Sequence, residues 1–296
     1  MTRTPFLPTR DGISPSLVWL PQGPWKTLGE FFAVRFPMVN ADSWAERMSR
    51  GEVVDDQGTA LYLDSVFRTG ACVFYYRQRQ DEVPIPFEEK ILFLNDELLV
   101  VDKPHFVAVT PGGRFLRETL LARLKRRTGL DTLTPIHRLD RETAGVIMFS
   151  VEPSTRSLWQ SLFRQRLVHK IYEAVAPFNE SLDLPLDISS RIVRDVKFFR
   201  MREEPGEPNA FTRIELIEQR GQQALYRLFP LTGKMHQLRV HMNSLGIPIL
   251  NDGFYPHALP SRADDFSAPL QLLARSIAFN DPVSGEARTF ESDRKL

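Results

Sequence analysis

One cysteine, Cys72, stands alone in 296 residues. A single thiol rules out an intrachain disulfide framework and any zinc site built on paired cysteines, and it suits a reducing compartment. No apolar run approaches the roughly 18 residues that a membrane-spanning helix needs, and Met1-Thr-Arg-Thr-Pro5 offers no apolar signal-peptide core. A soluble cytoplasmic protein with no membrane partner is the expectation. An excess of either charge is missing too, since 38 lysines and arginines face 37 acids for a net charge of +1. There is no Walker-type phosphate loop, no dinucleotide glycine fingerprint and no nucleophile elbow, which removes the enzyme classes built on them. What is present is 42% hydrophobic and 25% charged residues, enough for a core in one large domain or two smaller ones.

The near-neutral total hides local asymmetry. Arg114, Arg117, Arg123, Lys125, Arg126 and Arg127 lie within 14 residues that hold one acid, Glu118. Arg156, Arg164, Arg166 and Lys170 follow with no acid among them, whereas residues 30–64 carry seven acids against three arginines. A basic stretch can be no more than a solvated face; the sharper reading is a surface that tracks phosphates and is therefore sensitive to salt.

Residues 1–26, with five prolines and little periodicity, read as an arm. Leu28, Phe31, Phe32 and Phe36 recur at helical spacing, Trp44, Ala45 and Met48 mark a second short helix, and small strands follow, so residues 27–80 form a small α+β domain. Residues 81–87 read as a linker to a larger α+β domain over 88–296. Within it, Leu98-Leu-Val-Val101 and Gly145–Val151 predict buried strands, Leu120, Leu121 and Leu124 a helix that Gly129 ends, and Ser154 caps a helix facing inward through Leu158, Trp159, Leu162 and Phe163. Residues 177–209 read as an irregular excursion.

Three segments concentrate groups with chemistry. His137-Arg-Leu-Asp140-Arg141-Glu142 precedes an apolar strand, Lys170-Ile-Tyr172 follows the basic helix, and Thr232-Gly-Lys234-Met-His236-Gln237-Leu-Arg239-Val-His241-Met242 comes last. Read as a strand, the third segment turns Leu238, Val240 and Met242 to the core and Gln237, Arg239 and His241 the other way. Each group has a plainer reading: Asp140 as a loop carboxylate paired with Arg138 or Arg141, Tyr172 as a half-buried tyrosine, Arg239 as a structural ion pair. A metal held by His137, His236 and His241 is disfavoured, because the step from 236 to 241 places those two on opposite strand faces.

Taken together, the segments resemble the RluA-type pseudouridine synthases. His137-Arg-Leu-Asp140, then Gly145 and a strand, is similar to the signature loop of that family. Val100-Val-Asp-Lys103-Pro104 upstream, Lys170-Ile-Tyr172, Thr232–His241 and Leu245-Gly246-Ile-Pro248-Ile-Leu-Asn-Asp252 keep the family order over about residues 88–280. Lys234, Ala144 and Asn251 stand where arginine, serine and glycine are common in the family.

The resemblance implies a pseudouridine synthase fold: a mixed, mostly antiparallel sheet with flanking helices around a central catalytic cleft. It implies Asp140 as catalytic aspartate, Tyr172 as active-site tyrosine and Arg239 as the basic partner of the aspartate. Residues 27–80 resemble a divergent S4-type RNA-binding domain. The expected activity is isomerisation of uridine to pseudouridine in ribosomal or transfer RNA, by a monomer with no cofactor and no metal. Whether Asp140 acts as nucleophile or as base stays open, and Tyr172 is expected to stack on the uracil and to help remove the C5 proton. A base inside folded RNA must be flipped out to react, and Arg138 is the side chain expected to fill the gap it leaves. Expected RNA contacts are Arg138, Arg141, the basic residues of 114–127, Arg164, Arg166, Lys170, Lys234, His236 and Gln237. The competing readings are a non-catalytic RNA-binding or RNA-folding protein on the same fold, and a hydrolase pairing Asp140 with Glu142.

Overall fold

Thr27 and Asn40 each stand one residue before a helix and close its first turn, accepting the backbone N–H of Glu30 at 3.3 Å and of Ser43 at 2.8 Å. The structure, a computed structural model, describes residues 7–77, 82–196, 199–259 and 265–296. Residues 1–6 of the expected arm and 78–81 at the expected domain boundary lie outside the described residues. The chain divides into two compact units, 1–82 with 111–117 and 122–131, and 83–110 with 118–121 and 132–296.

In the first unit, α1 (Leu28–Arg35) and α2 (Ala41–Ser49) cover a three-stranded sheet made of β1 (Ser16–Trp19), β2 (Val53–Asp55) and β3 (Cys72–Tyr75), in the order β1-β3-β2. Phe32 and Trp44 lie 4.4 Å apart between ring centroids in a core completed by Leu28, Met48 and Val73. Residues 16–19 thus belong to a packed unit and not to an arm: Ser16–Trp19 pair antiparallel with Cys72–Tyr75, an interaction that local periodicity cannot reveal. The basic residues from Arg114 to Arg117 and from Arg123 to Arg127 also fall in this unit, whereas the sequence groups them with the larger domain.

The second unit is built on one sheet, formed among the described residues by eleven strands. These are β4 (Lys90–Leu94), β5 (Leu98–Lys103), β6 (Thr134–Pro135), β7 (Ala144–Ser150), β8 (His169–Pro177), β9 (Leu186–Arg194), β10 (Met201–Glu204), β11 (Ala210–Arg220), β12 (Gln223–Pro230), β13 (Leu272–Asn280) and β14 (Ala287–Glu291). The order is β10-β9-β11-β12-β8-β13-β7-β5-β4, with β14 on β13 and β6 on β7. Among the described strands of this sheet only the short β7–β13 pairing is parallel, so the sheet is mixed and mostly antiparallel. Every residue of β5 and β7 is buried, which explains their unbroken apolar runs. Helix α3 (Leu120–Thr128), which from Ala122 onward belongs to the first unit, ends where Gly129, at φ +72°, donates its N–H to Lys125 O. Trp159 and Leu162 of α4 (Arg156–Arg164) pack on Val100, Val146 and Ile277. Its N-cap is Thr155 and not Ser154, in helical backbone geometry (φ −95°, ψ −6°) and with no side-chain capping bond, and the Thr155 hydroxyl donates to Glu97.

Two expectations give way here. Residues 186–194 and 201–204 are the strands β9 and β10, which pair with each other as a hairpin while β9 also pairs with β11; β10, Met-Arg-Glu-Glu, has one apolar residue and shows no alternation. More consequentially, the strand expected through Arg239 is a helix, α5 (Gln237–Ser244). It ends on Gly246, at φ +75°, with Ile247 N–H bonded to Met242 O and Gly246 N–H to Asn243 O, the pairing of a Schellman stop. Residues 237–242 are all buried, so polar and apolar side chains do not segregate and the helical period is hidden.

Gly145 sits at φ +111°, and a Cβ there would lie 2.2 Å from Ala274 O across the parallel pairing. Gly145→Ala should therefore cost more than about 1 kcal/mol of stability, read as a lowered melting temperature with loss of activity. An unchanged melting temperature would contradict this packing.

Candidate active site

Ala274 of β13 pairs with Gly145 of β7 on one side and with Tyr172 of β8 on the other. One register position thus sets the end of the Asp140 loop and the tyrosine on either side of a single strand, each about 4.8 Å away in the sheet. The loop backbone is clamped from β5. The fully buried Lys103 donates its three ammonium protons to Pro104 O (2.9 Å), Val107 O (2.9 Å) and Arg141 O (3.1 Å), and burial pulls its pKa down to about 7. His105 Nδ1–H donates to Glu142 O at 2.7 Å. Loop carbonyls on both sides of the Arg141–Glu142 peptide are therefore fixed by side chains.

The charge centre is Arg239. Its Nε and Nη2 donate to Asp252 Oδ2 (2.8 Å) and Oδ1 (2.6 Å), and Nη1 donates to Asp140 Oδ2 at 3.2 Å. Burial opposes the guanidinium charge, but the hydrogen bond and charge of Asp252, and then Asp140, outweigh it and raise the pKa further. The Asp252 side chain is wholly buried, while that of Asp140 keeps 19% of its surface. The difference separates their tasks: one carboxylate is sealed against the arginine, and the other looks out. Asp252 Oδ1 also receives the N–H groups of Phe254 and Tyr255 at 2.8 and 3.2 Å.

Asp140, Tyr172, Arg239, His236, Lys170 and Arg138 line one cavity of about 160 Å³. Burial, reinforced by the Asp140 charge, pushes the Tyr172 hydroxyl well above its ordinary pKa, so it is a neutral phenol at physiological pH. A larger neighbouring pocket of about 700 Å³ shares Arg138, Lys170, Tyr172 and Lys234 with the first, and adds Arg164 and Arg166. Arg138, Arg164, Arg166 and Lys234 are exposed. Lys170 is half-buried, with Nζ on Thr232 O, and burial lowers its pKa to about 8.

Other expected contacts are placed elsewhere. Gln237 is buried and internally satisfied: Oε1 accepts the Thr232 hydroxyl and Lys234 N–H, and the amide donates to Phe211 O and Thr212 Oγ1. It holds the loop before α5 and has nothing left for RNA. Lys125 is buried with its ammonium on Ser14 Oγ, and Arg141 is ion-paired with Glu142 at 3.2 Å. The three histidines weighed for a metal have separate partners. His137 Nε2 accepts Met148 N–H, with burial holding its pKa down to about 3, while His241 bonds Thr212 and Ser190 and His236 bonds Tyr255.

Asp252 is the member of this charge cluster to which the sequence assigns no role. Its signal was the Leu245–Asp252 segment, and Asn251 explains one departure there. Asn251 sits at φ +62° with its amide on Pro269 O. Glycine is favoured in that left-handed region, and asparagine is among the few other residues that tolerate it.

Asp252→Asn should cost about 3 kcal/mol or more, because it leaves a buried guanidinium without its main counter-charge. Asp140→Asn, at a partly exposed carboxylate, should cost far less. Chemical denaturation of both variants checks the contrast, and equal losses would contradict the division of labour.

The family model described as RNA pseudouridylate synthase matches residues 97–244. The dual-specificity RNA pseudouridine synthase RluA of Vibrio cholerae is 33% identical over 207 residues, covering 67% of this chain and 80% of the relative. The mitochondrial tRNA pseudouridine(32) synthase of Saccharomyces cerevisiae is 29% identical over 236 residues, covering 78% of this chain and 50% of the relative. Among solved structures, human RNA pseudouridylate synthase domain containing 1 superposes with a TM-score of 0.59 at 23% identity, over 72% of this chain and 86% of that one, which supports the fold. With its Asp140 loop, Tyr172 strand and Arg239 helix all meeting at one cavity, this chain belongs to the RluA-type RNA pseudouridine synthases, enzymes that isomerise uridine in RNA.

Proposed function

We propose that Asp140 is the catalytic carboxylate, that Arg239 holds it in place, and that Tyr172 stacks on the target uracil. The observation that carries this reading is the 3.2 Å contact between Arg239 Nη1 and Asp140 Oδ2 at the wall of the cavity Tyr172 also lines. Isomerisation breaks the N1–C1′ bond, turns the uracil, joins C5 to C1′, removes the C5 proton and leaves a proton on N1. Nothing is oxidised and no external group is consumed, so the reaction needs no cofactor. A carboxylate beside C1′ or C6 serves either as nucleophile or as the base that takes the 2′ proton, and in both roles it must be oriented. An arginine anchored by Asp252 supplies that orientation.

The substrate is a uridine in folded ribosomal or transfer RNA. The Vibrio relative is named for dual specificity and the yeast relative for position 32 of tRNA. The target base is flipped into the cavity, with Arg138 at the gap it leaves in the stack and Arg164, Arg166, Lys170 and Lys234 along the neighbouring phosphates. Residues 27–80 act as an S4-like contact to RNA, assisted by Arg114, Arg117, Arg123, Arg126 and Arg127 of the same compact unit. The protein works as a cytoplasmic monomer.

Mapping pseudouridine in total RNA from cells with and without the gene tests the reading. One or a few positions should vanish in its absence and return with wild type but not with Asp140→Asn, whose turnover on the identified RNA should fall at least about 10²-fold. Restoration by Asp140→Asn would overturn the assignment. Arg164→Glu together with Arg166→Glu should weaken RNA binding and flatten the slope of log K against log salt by about 1 to 2. An unchanged slope would remove these residues from the RNA path.

A further inference from the structure

His236 occupies the position before α5 in a left-handed backbone conformation, φ 55°, which non-glycine residues adopt uncommonly and at a cost. Its nearly buried ring stacks on Phe254, with centroids 5.4 Å apart. Nδ1 lies 3.1 Å from the Tyr255 hydroxyl. Nε2 lies 3.7 Å from Asp140 Oδ2, beyond hydrogen-bond reach, and His236 lines the catalytic cavity.

The hydrogen bonds of Tyr255 decide which ring nitrogen carries the proton. Asp195 N–H bonds Arg200 O at the start of the β9–β10 ladder, and Met201 pairs with Arg194 one position further on. In an antiparallel ladder alternate positions turn their N–H and C=O away from the partner strand. Met201 is such a position, and it is buried, so both of its groups need a partner from outside the ladder. The Tyr255 hydroxyl is that partner, accepting Met201 N–H at 2.8 Å and donating to Met201 O at 3.0 Å. With its single proton given to Met201 O, the hydroxyl has only a lone pair left for His236. Nδ1–H is therefore the donor, and Nε2 carries a lone pair. Among the described residues Nε2 has no hydrogen-bond partner.

We propose that His236 Nε2 is the base that removes the C5 proton in the last step of the isomerisation. The proposal rests on the reading of the Asp140 cavity as the place where pseudouridine forms. Once C5 is joined to C1′, it carries both the sugar carbon and its original hydrogen, and N1 and C6 share a double bond. The proton leaves to Nε2, the C5–H electron pair becomes the C5=C6 bond, and the N1=C6 π pair moves to N1. N1 takes up a proton from the imidazolium or from water, so the atoms and electrons of uridine and pseudouridine balance. The imidazolium formed faces the Asp140 carboxylate, which favours it. Burial lowers the pKa of His236, helped by Arg239 and opposed by Asp140, Asp252 and Glu142, and so keeps the ring neutral and able to accept. Burial has the reverse consequence for Tyr172, whose neutral phenol is a poor acceptor. Phe254 and Tyr255 are positioning residues: one stacks on the imidazole and the other fixes its tautomer.

Histidine ¹⁵N NMR on the full chain reads the tautomer directly. An unprotonated Nε2 with a protonated Nδ1 is expected, and the reverse tautomer overturns the proposal whether or not any variant folds. Single-turnover conversion of a transcript carrying the identified uridine, with hydrogen or deuterium at C5, reads the step. His236→Gln should slow conversion about 10²-fold and show a larger C5 isotope effect than the wild type. A wild-type rate, or a loss with no change in the isotope effect, assigns His236 a structural role and overturns the proposal. If the wild type makes no pseudouridine, or Asp140→Asn makes it as fast, the reading of the cavity itself fails and the proposal fails with it.

Discussion

A guanidinium with 2% of its side chain exposed has to meet opposite charge, and Arg239 meets two carboxylates. Asp252 takes two of its donors and is itself closed off by the backbone N–H groups of Phe254 and Tyr255. Asp140 takes a third donor and keeps an open face. The buried half of the arrangement fixes the arginine, and the arginine then fixes the exposed carboxylate. This order matters because removing one member of a buried pair is far more damaging than the net worth of the pair suggests. The aromatic rings of Phe254 and Tyr255 lie 4.9 and 5.6 Å from the guanidinium carbon, so the segment that supplies Asp252 also walls in the charge.

The other constraint is register. Ala274 is the shared neighbour of Gly145 and Tyr172, and a slip of one residue in either pairing would turn Tyr172 or the Asp140 loop away from the cavity. Lys103 and His105 hold the loop carbonyls from the neighbouring strand end, so the aspartate is positioned by rigid elements and not by a mobile turn. Misplacement by about 1 Å can cost an enzyme on the order of 10² in rate, which gives these distant contacts a functional meaning.

Asp140, Tyr172 and Arg239 lie in three short segments whose order resembles the family's, and that resemblance, not composition or periodicity, singles them out; the structure brings all three to one cavity. Their pairing partner Asp252 was not assigned, since nothing in a single sequence says which carboxylate a buried arginine will choose. The secondary structure around Arg239 was misread for a physical reason. Leu238, Val240 and Met242 alternate as in a strand, but every residue from 237 to 242 is buried, so neither period is informative. The usable sign was the stop: Gly246 followed by Pro248 is how a helix ends. Strand β1 is hidden because its partner β3 lies far along the chain, and β10 because its charged sequence, Met-Arg-Glu-Glu, has no apolar alternation although it pairs with the neighbouring β9.

A non-catalytic RNA-binding protein would have no need of an exposed carboxylate held on a buried arginine, with a tyrosine lining the same cavity. The hydrolase alternative loses its second carboxylate, because Glu142 pairs with Arg141 and is not among the side chains that line the Asp140 cavity. The most direct test of the account is a crystal structure of the enzyme bound to an RNA that carries 5-fluorouridine at the modified position. The account predicts the flipped base in the Asp140 cavity, the aspartate against C1′ or C6, and Arg239 still bonded to Asp252. A base bound elsewhere, or an Asp140 carboxylate turned away from the sugar and the ring, would contradict it.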